Sequence, residues 1–398
     1  MKKAPLFLAL LGTSPFVWAN TVENLPVETL TLEKIKLGRQ LFFDKNLSKN
    51  RTMSCASCHS PANAMVDKRP NKVNQSASLG DDGHSIGDRN APTAAYAQFS
   101  PDFHAVTEKG EKVFIGGQFL DGRVKDLAAQ AGGPPTNPIE MGMPSQQATV
   151  QRISENPKYI ATFKQLYGEQ IFQDPKQAYA AMTDAISAFE STEFFAPFDS
   201  KYDRFLRGEY DLTVLEDLGR SLFFSNNNTN CSTCHKLKRE DAEKEVFSDF
   251  RYYNLGVPEN IALRKVNGVK TKDLGLYQNP QAQTENNKGK FKTSTLRNVA
   301  VTGPYMHNGV FQDLRTVILF YDHYNNPKNK INPETGQPWR DPEVNQNLSP
   351  DLKMKVLTPR KVDALVAFLE LLTDKRYEPL LAQQKAAKMK KDTNQPNN

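Results

Sequence analysis

The sequence predicts a mainly α-helical protein made of two related domains with long loops. Three observations predict it: a duplicated leader segment, helical apolar spacing in two later stretches, and abundant proline and asparagine between them. The leader reads Leu37-Gly38-Arg39-Gln40-Leu41-Phe42-Phe43 in one copy and Leu218-Gly219-Arg220-Ser221-Leu222-Phe223-Phe224 in the other. Each copy reads as a short helix ending in an Asn/Ser-rich loop. Ala178–Phe195 and Pro359–Thr373 carry apolar residues at helical spacing, and Val362, Leu365, Val366, Phe368 and Leu369 form one broad face of the second.

A chain of 398 residues suffices for two ordinary domains. Only 38% of it is hydrophobic, a lean core that is easier to understand if a large apolar cofactor fills part of the buried volume. The net charge of +6 is modest, and no Lys/Arg cluster is interleaved with aromatics, so there is no nucleic-acid footprint. Residues 1–19 read as a secretory signal: Lys2 and Lys3, then the apolar run Leu6–Leu11, then Val17-Trp18-Ala19 as the cleavage site. No segment approaches the roughly 20 apolar residues of a membrane helix. The expected mature protein is exported, not membrane-spanning, and periplasmic in a Gram-negative cell. Its domains are expected at 20–210 and 211–384, with the polar, lysine-rich stretch 385–398 as a disordered tail.

All four cysteines fall in two Cys-x-x-Cys-His motifs, Cys55-Ala56-Ser57-Cys58-His59 and Cys231-Ser232-Thr233-Cys234-His235, each behind one leader copy. Two thiols at this spacing can each form a thioether to one vinyl group of the same porphyrin, and the next histidine then reaches the iron from the proximal side. A thioredoxin-like pair or half a zinc site would also use Cys-x-x-Cys. Neither calls for a histidine directly after both pairs in an exported chain. The reading is one covalently bound haem c per domain, with His59 and His235 as proximal ligands.

Further blocks accompany these motifs: Arg89-Asn90-Ala91-Pro92-Thr93, Phe119-Leu120-Asp121-Gly122-Arg123, Gly133-Pro134-Pro135-Thr136-Asn137-Pro138-Ile139-Glu140-Met141, and Leu296-Arg297-Asn298-Val299-Ala300 through Pro304-Tyr305-Met306-His307-Asn308-Gly309. In their order and spacing the sequence resembles the bacterial dihaem cytochrome c peroxidase superfamily, and within it the MauG-like branch. The resemblance implies a peroxidatic N-terminal haem on His59 and a six-coordinate C-terminal haem on His235 that relays or stores oxidising equivalents. It implies distal-pocket roles for Gln130, Pro134 and Glu140. Glu140 would act as general acid–base on peroxide, Gln130 as hydrogen-bond donor and Pro134 as a limit on the space above the iron. It also implies that the C-terminal haem is closed by the residue fourteen positions after His307, which is Tyr321. The peroxidases carry methionine there and MauG carries tyrosine; a phenolate should favour higher iron oxidation states, where a thioether raises the potential. Met306 and His323 are the competing ligands. Asn90 through its side chain, with the Thr302 and Pro304 carbonyls, matches the family's calcium site between the haems.

The sequence departs from the family at two places. Leu120 stands where a tryptophan normally lies between the haems, and Thr229 stands where MauG has a surface tryptophan. Both put long-range oxidation of a partner protein in doubt; Tyr96, Phe119 or direct tunnelling would have to substitute. His84 could cap the N-terminal haem or be an exposed loop residue, while His104 and His323 read as surface residues. The expected activity is reduction of hydrogen peroxide, with electrons from a small periplasmic donor (cytochrome c or a cupredoxin) passing through the C-terminal haem to the N-terminal one. The alternatives are MauG-like oxidative modification of a protein substrate and a non-catalytic electron-transfer cytochrome. Glu140 and Gln130 favour catalysis over the last.

Overall fold

The computed structural model describes residues 27–237 and 244–393. The expected signal segment, 1–19, lies outside them. The first half holds α1 (Val27–Phe43), α2 (Cys55–Cys58), α3 (Leu127–Ala131), α4 (Gln146–Ile153), α5 (Pro157–Tyr167) and α6 (Pro175–Glu190). The second holds α7 (Lys201–Leu206), α8 (Val214–Phe223), α9 (Cys231–Cys234), α10 (Ile261–Asn267), α11 (Leu314–His323), α12 (Pro359–Glu370) and α13 (Glu378–Thr393). The protein is mostly helical, as expected. Among the described residues no helix is long and apolar enough to cross a membrane.

Local chemistry sets the helix ends. α6 begins at Pro175, three residues before the expected start, because the Asp174 side chain accepts the Lys176 N–H at 2.8 Å and proline suits the first helical position. It stops at Glu190, before the expected end, where the Ser191 hydroxyl turns back onto the Ser187 carbonyl at 2.8 Å. α12 is capped by Thr358 and opens on Pro359 as expected, but ends at Glu370 rather than at Thr373.

The tail expected to be disordered from Lys385 is instead helical as far as Thr393. Its alanine, glutamine and lysine residues are strong helix formers. Leu380 and Leu381 pack against Tyr377 and Val301, Lys385 reaches Glu370 at 2.7 Å, and Lys388 pairs with Asp313, so the helix is tethered to the body.

Two apolar cores follow the two leader copies. In the first, α1 packs on α6 through Leu37, Leu41, Phe42, Met182, Ala185 and Phe189, with α4 and α5 supplying Ile153 and Phe163. In the second, α8 packs on α12 through Leu222, Phe223, Leu365 and Phe368, with Ile318 from α11 beside them. The chain crosses between cores: Val246 and Phe250, from the second half, are buried in the first core. Polar seams tie the halves together. Arg89 pairs with Asp273 and Asp121, both at 2.6 Å, and the Tyr96 hydroxyl donates to Asp374 at 2.5 Å.

The sequence reading did not foresee an antiparallel hairpin of β1 (His104–Glu108) and β2 (Glu111–Ile115). Its two-residue turn, Lys109-Gly110, has φ of 49° and 81°, the left-handed pair that matches strand twist.

Candidate functional site

α9 is one turn long and ends on His235, whose N–H donates to the Cys231 carbonyl at 3.0 Å. The His235 Nδ1 donates to the Phe247 carbonyl at 2.8 Å, which fixes the ring and leaves Nε2 free for a metal. His235, Cys231 and Cys234 line a mainly apolar cavity of about 370 Å³. α11 lines it with Leu314, Val317, Ile318 and Tyr321, a stripe at i, i+3, i+4 and i+7. Burial holds the Tyr321 phenol above its ordinary value, and the Cys234 and Cys231 thiols nearby push it the same way. Tyr321 is therefore brought together with the second motif. A cation in the cavity would reverse its preference and favour the phenolate.

Met306 lines the same cavity. His323 does not. It lies in an aromatic cluster, 5.1 Å from Trp339 and 5.1 Å from Phe320 between ring centres, with Nδ1 on the Phe320 carbonyl. This corrects the expectation that His323 is a surface residue: α11 turns it away from the Tyr321 stripe into packing. Trp339 belongs to that cluster and is absent from the cavity lining. His84 and His104 are exposed.

The first motif repeats the arrangement. The His59 N–H donates to the Cys55 carbonyl at 2.9 Å, and its Nδ1 to the Met65 carbonyl at 3.2 Å. Arg69 approaches the Cys58 sulfur at 3.3 Å while paired with Asp67 at 2.6 Å. Gln130 lies on α3, whose N-cap Asp126 accepts from Ala129 N–H at 2.9 Å. A compact loop follows, in which the Gln130 carbonyl accepts from Gly133, Pro134 from Asn137 and Met141, and Asn137 from Glu140. Burial raises the Glu140 carboxyl above the usual range against the pull of Arg123, and its charge is felt at the Cys58 thiol. The loop thus keeps Glu140 near enough for its charge to act on the Cys58 thiol.

Asn90, Thr302 and Pro304 line the main cavity together. The Asn90 side-chain amide meets the Pro304 carbonyl at 2.6 Å, and its backbone N–H donates to the His307 carbonyl at 2.7 Å. Turning that amide over would put its oxygen beside the Pro304 carbonyl, the kind of hard donor a calcium ion takes.

Leu120 is buried in the cavity wall, its carbonyl accepting from Lys292 at 2.9 Å. Thr229 is buried too, its hydroxyl donating to the Leu222 carbonyl at 2.6 Å. Both places where the resemblance expects tryptophan are therefore filled without an indole.

The chain is 49% identical over 358 residues to the methylamine utilization protein MauG of Paracoccus denitrificans, a match covering 88% of this chain and 91% of that protein. Residues 32–211 match the family model described as di-haem cytochrome c peroxidase. The chain belongs to the dihaem cytochrome c peroxidase superfamily, on its MauG-like branch. It is 30% identical to the cytochrome c peroxidase Ccp of Escherichia coli over 77% of this chain and 57% of that one. Its fold superposes on the diheme peroxidase BthA of Burkholderia thailandensis with a TM-score of 0.77, at 31% identity, over 89% of this chain and 88% of that one. Membership makes the chain a dihaem peroxidase-type oxidoreductase and implies two haem c groups. The residues fit them: two thiol pairs, two histidines oriented through Nδ1, and a large apolar cavity beside the second pair.

One buried acid has no sequence signal that sets it apart. Glu190, at the end of α6, is buried beside Cys55, its Oε2 has no hydrogen-bond partner among the described residues, and burial raises its pKa to about 8. The available signal was an acidic residue ending an apolar helical face, which alone does not distinguish it from a solvated one.

Proposed function

We propose that this protein is a periplasmic dihaem oxidoreductase that uses hydrogen peroxide as its oxidant. Cys55 and Cys58 with His59, and Cys231 and Cys234 with His235, would each hold one haem c, and Tyr321 would complete the second iron's coordination. The observation that carries this reading is Tyr321 sharing one apolar cavity with His235 and both thiols of its motif. Bound haem supplies the iron redox chemistry of peroxide reduction. Glu140 takes a proton from the near oxygen of peroxide and returns it to the leaving oxygen, a role that suits a carboxyl raised by burial. Gln130 would donate a hydrogen bond to peroxide, and Pro134 would restrict the space around it. With haem bound, electrons from a small donor, a cytochrome c or cupredoxin, would enter through the second site and pass to the first. Asn90, with the Thr302 and Pro304 carbonyls, would hold a calcium ion that ties the halves together.

Oxidation of a partner protein is the second reading. Tyr321 favours it, because a phenolate suits storage of a second oxidising equivalent; Leu120 and the buried Thr229 weigh against it. Electron paramagnetic resonance of the ferric holoprotein tests the proposal. One high-spin and one low-spin signal, both lost on adding peroxide, are expected. Two low-spin signals indifferent to peroxide would mean simple electron transfer. One calcium per chain, lost on chelation, is expected in a metal assay.

A further inference from the structure

We propose that Tyr96 is the oxidisable relay between the two haem sites, with Asp374 as the acceptor of its proton, in place of the indole that Leu120 lacks; this rests on the peroxide reading above. Tyr96 is 1% exposed, belongs to the first apolar core and lines the cavity of the second motif, so it bridges the two. Contacts lead from it to both proximal histidines. On one side, the Met65 carbonyl that accepts from His59 also accepts the N–H of Ala94, two residues before Tyr96. On the other, the Phe247 carbonyl accepts from His235, and the Arg297 guanidinium lies 5.4 Å from the Phe247 ring centre and 5.5 Å from that of Tyr96.

The hydroxyl is built for proton transfer. Its Oη donates to Asp374 Oδ1 at 2.5 Å, while Asn298 donates to Asp374 Oδ2 at 2.7 Å, and Asp374 is fully buried. Burial raises Asp374 to about 6, so its protonated form is within reach, and the Tyr96 phenol is held well above its ordinary value, so the ring keeps its proton at rest. In the relay step one electron leaves the Tyr96 ring for the centre that peroxide has oxidised at the first motif. The phenolic O–H breaks and its proton forms an O–H on Asp374. An electron from the second site then refills the ring and the proton returns. Tyr96 and Asp374 end unchanged, and one electron has moved from the second site to the first.

Stopped-flow spectra of the holoprotein, mixed with one equivalent of peroxide in H2O and in D2O, follow when oxidation reaches each haem. In the wild type the second haem should oxidise more slowly in D2O. Tyr96→Phe, which keeps the ring and removes the hydroxyl, should slow that step by roughly tenfold or more and abolish the isotope effect, leaving the resting ferric spectra unchanged. Asp374→Asn, with the phenol intact, should do the same. A wild-type rate and isotope effect in both variants would overturn the relay while leaving the peroxide chemistry standing. Peroxide that oxidises neither haem in the wild type would overturn the peroxide reading and the relay with it.

Discussion

Gly38 and Gly219 make the same contact in the two halves of the molecule. A Cβ at Gly38 would stand 1.8 Å from the Ala185 carbonyl oxygen, and one at Gly219 1.9 Å from that of Ala364. Each leader helix therefore touches the backbone of its partner helix, α6 or α12, and the thiol motif that follows is positioned by that contact. Gly38→Ala and Gly219→Ala should each destabilise the protein by about 1–3 kcal/mol through forced separation of the helices. Thermal unfolding checks the magnitude. Gly38→Ala should disturb chiefly the absorbance of the first haem and Gly219→Ala that of the second; identical disturbance by both would contradict two separately built sites.

Tyr321→Met should raise the reduction potential of the second haem, because a neutral thioether replaces an anionic oxygen at the iron. Spectroelectrochemistry resolves the two haems, and the first should not move. An unchanged second potential would remove Tyr321 as a ligand and return Met306, in the same cavity wall, to consideration.

Glu140→Gln should slow the reaction with peroxide by about 10²–10⁴-fold while leaving both resting iron signals in place. The pH dependence follows from burial. The base form is lost as pH falls through the carboxyl's pKa, and that value is raised, with Arg123 opposing and Asp88 assisting the shift. The acid limb of the wild-type rate should therefore lie above the usual carboxylate range and vanish in the variant. A limb that survives Glu140→Gln would assign the proton transfer to another group.

Glu190 should make stability fall with rising pH. Its folded pKa of about 8 exceeds the 4.5 of an ordinary glutamate, so the folded state holds a proton that the unfolded chain has released. The contribution is full below about 4.5 and is lost as pH rises toward 8. Glu190→Gln, neutral throughout, should flatten this slope and raise the melting temperature near pH 8. Parallel melting curves for both proteins across that window would show that Glu190 ionises freely.

Much of this was legible in the sequence because its signals are contiguous. The leader, the two thiol motifs and the block around Glu140 each lie on one short stretch, so local spacing places their residues together. What was missed depends on tertiary contact. Residues 385–393 read as a solvated lysine run, and only docking on Glu370 and Asp313 makes them a tethered helix. The burial of Glu190 and Asp374 has no local signature, since an acid reads the same in a sequence whether water or a core surrounds it. The packing of half-buried His323 has no local signature either, because its aromatic partner Trp339 is distant along the chain. The ends of α6 turned on capping by Asp174 and Ser191, which apolar periodicity does not report.

Cys55, Cys58, Cys231 and Cys234 are proposed to anchor two porphyrins to one chain. Intact-mass spectrometry of the mature protein under denaturing conditions, after expression with a cytochrome c maturation system, tests it directly. A mass heavier by two haems is expected, falling by one when Cys231 and Cys234 are replaced by serine and by one when Cys55 and Cys58 are. A folded wild-type protein with the mass of the bare polypeptide would contradict it.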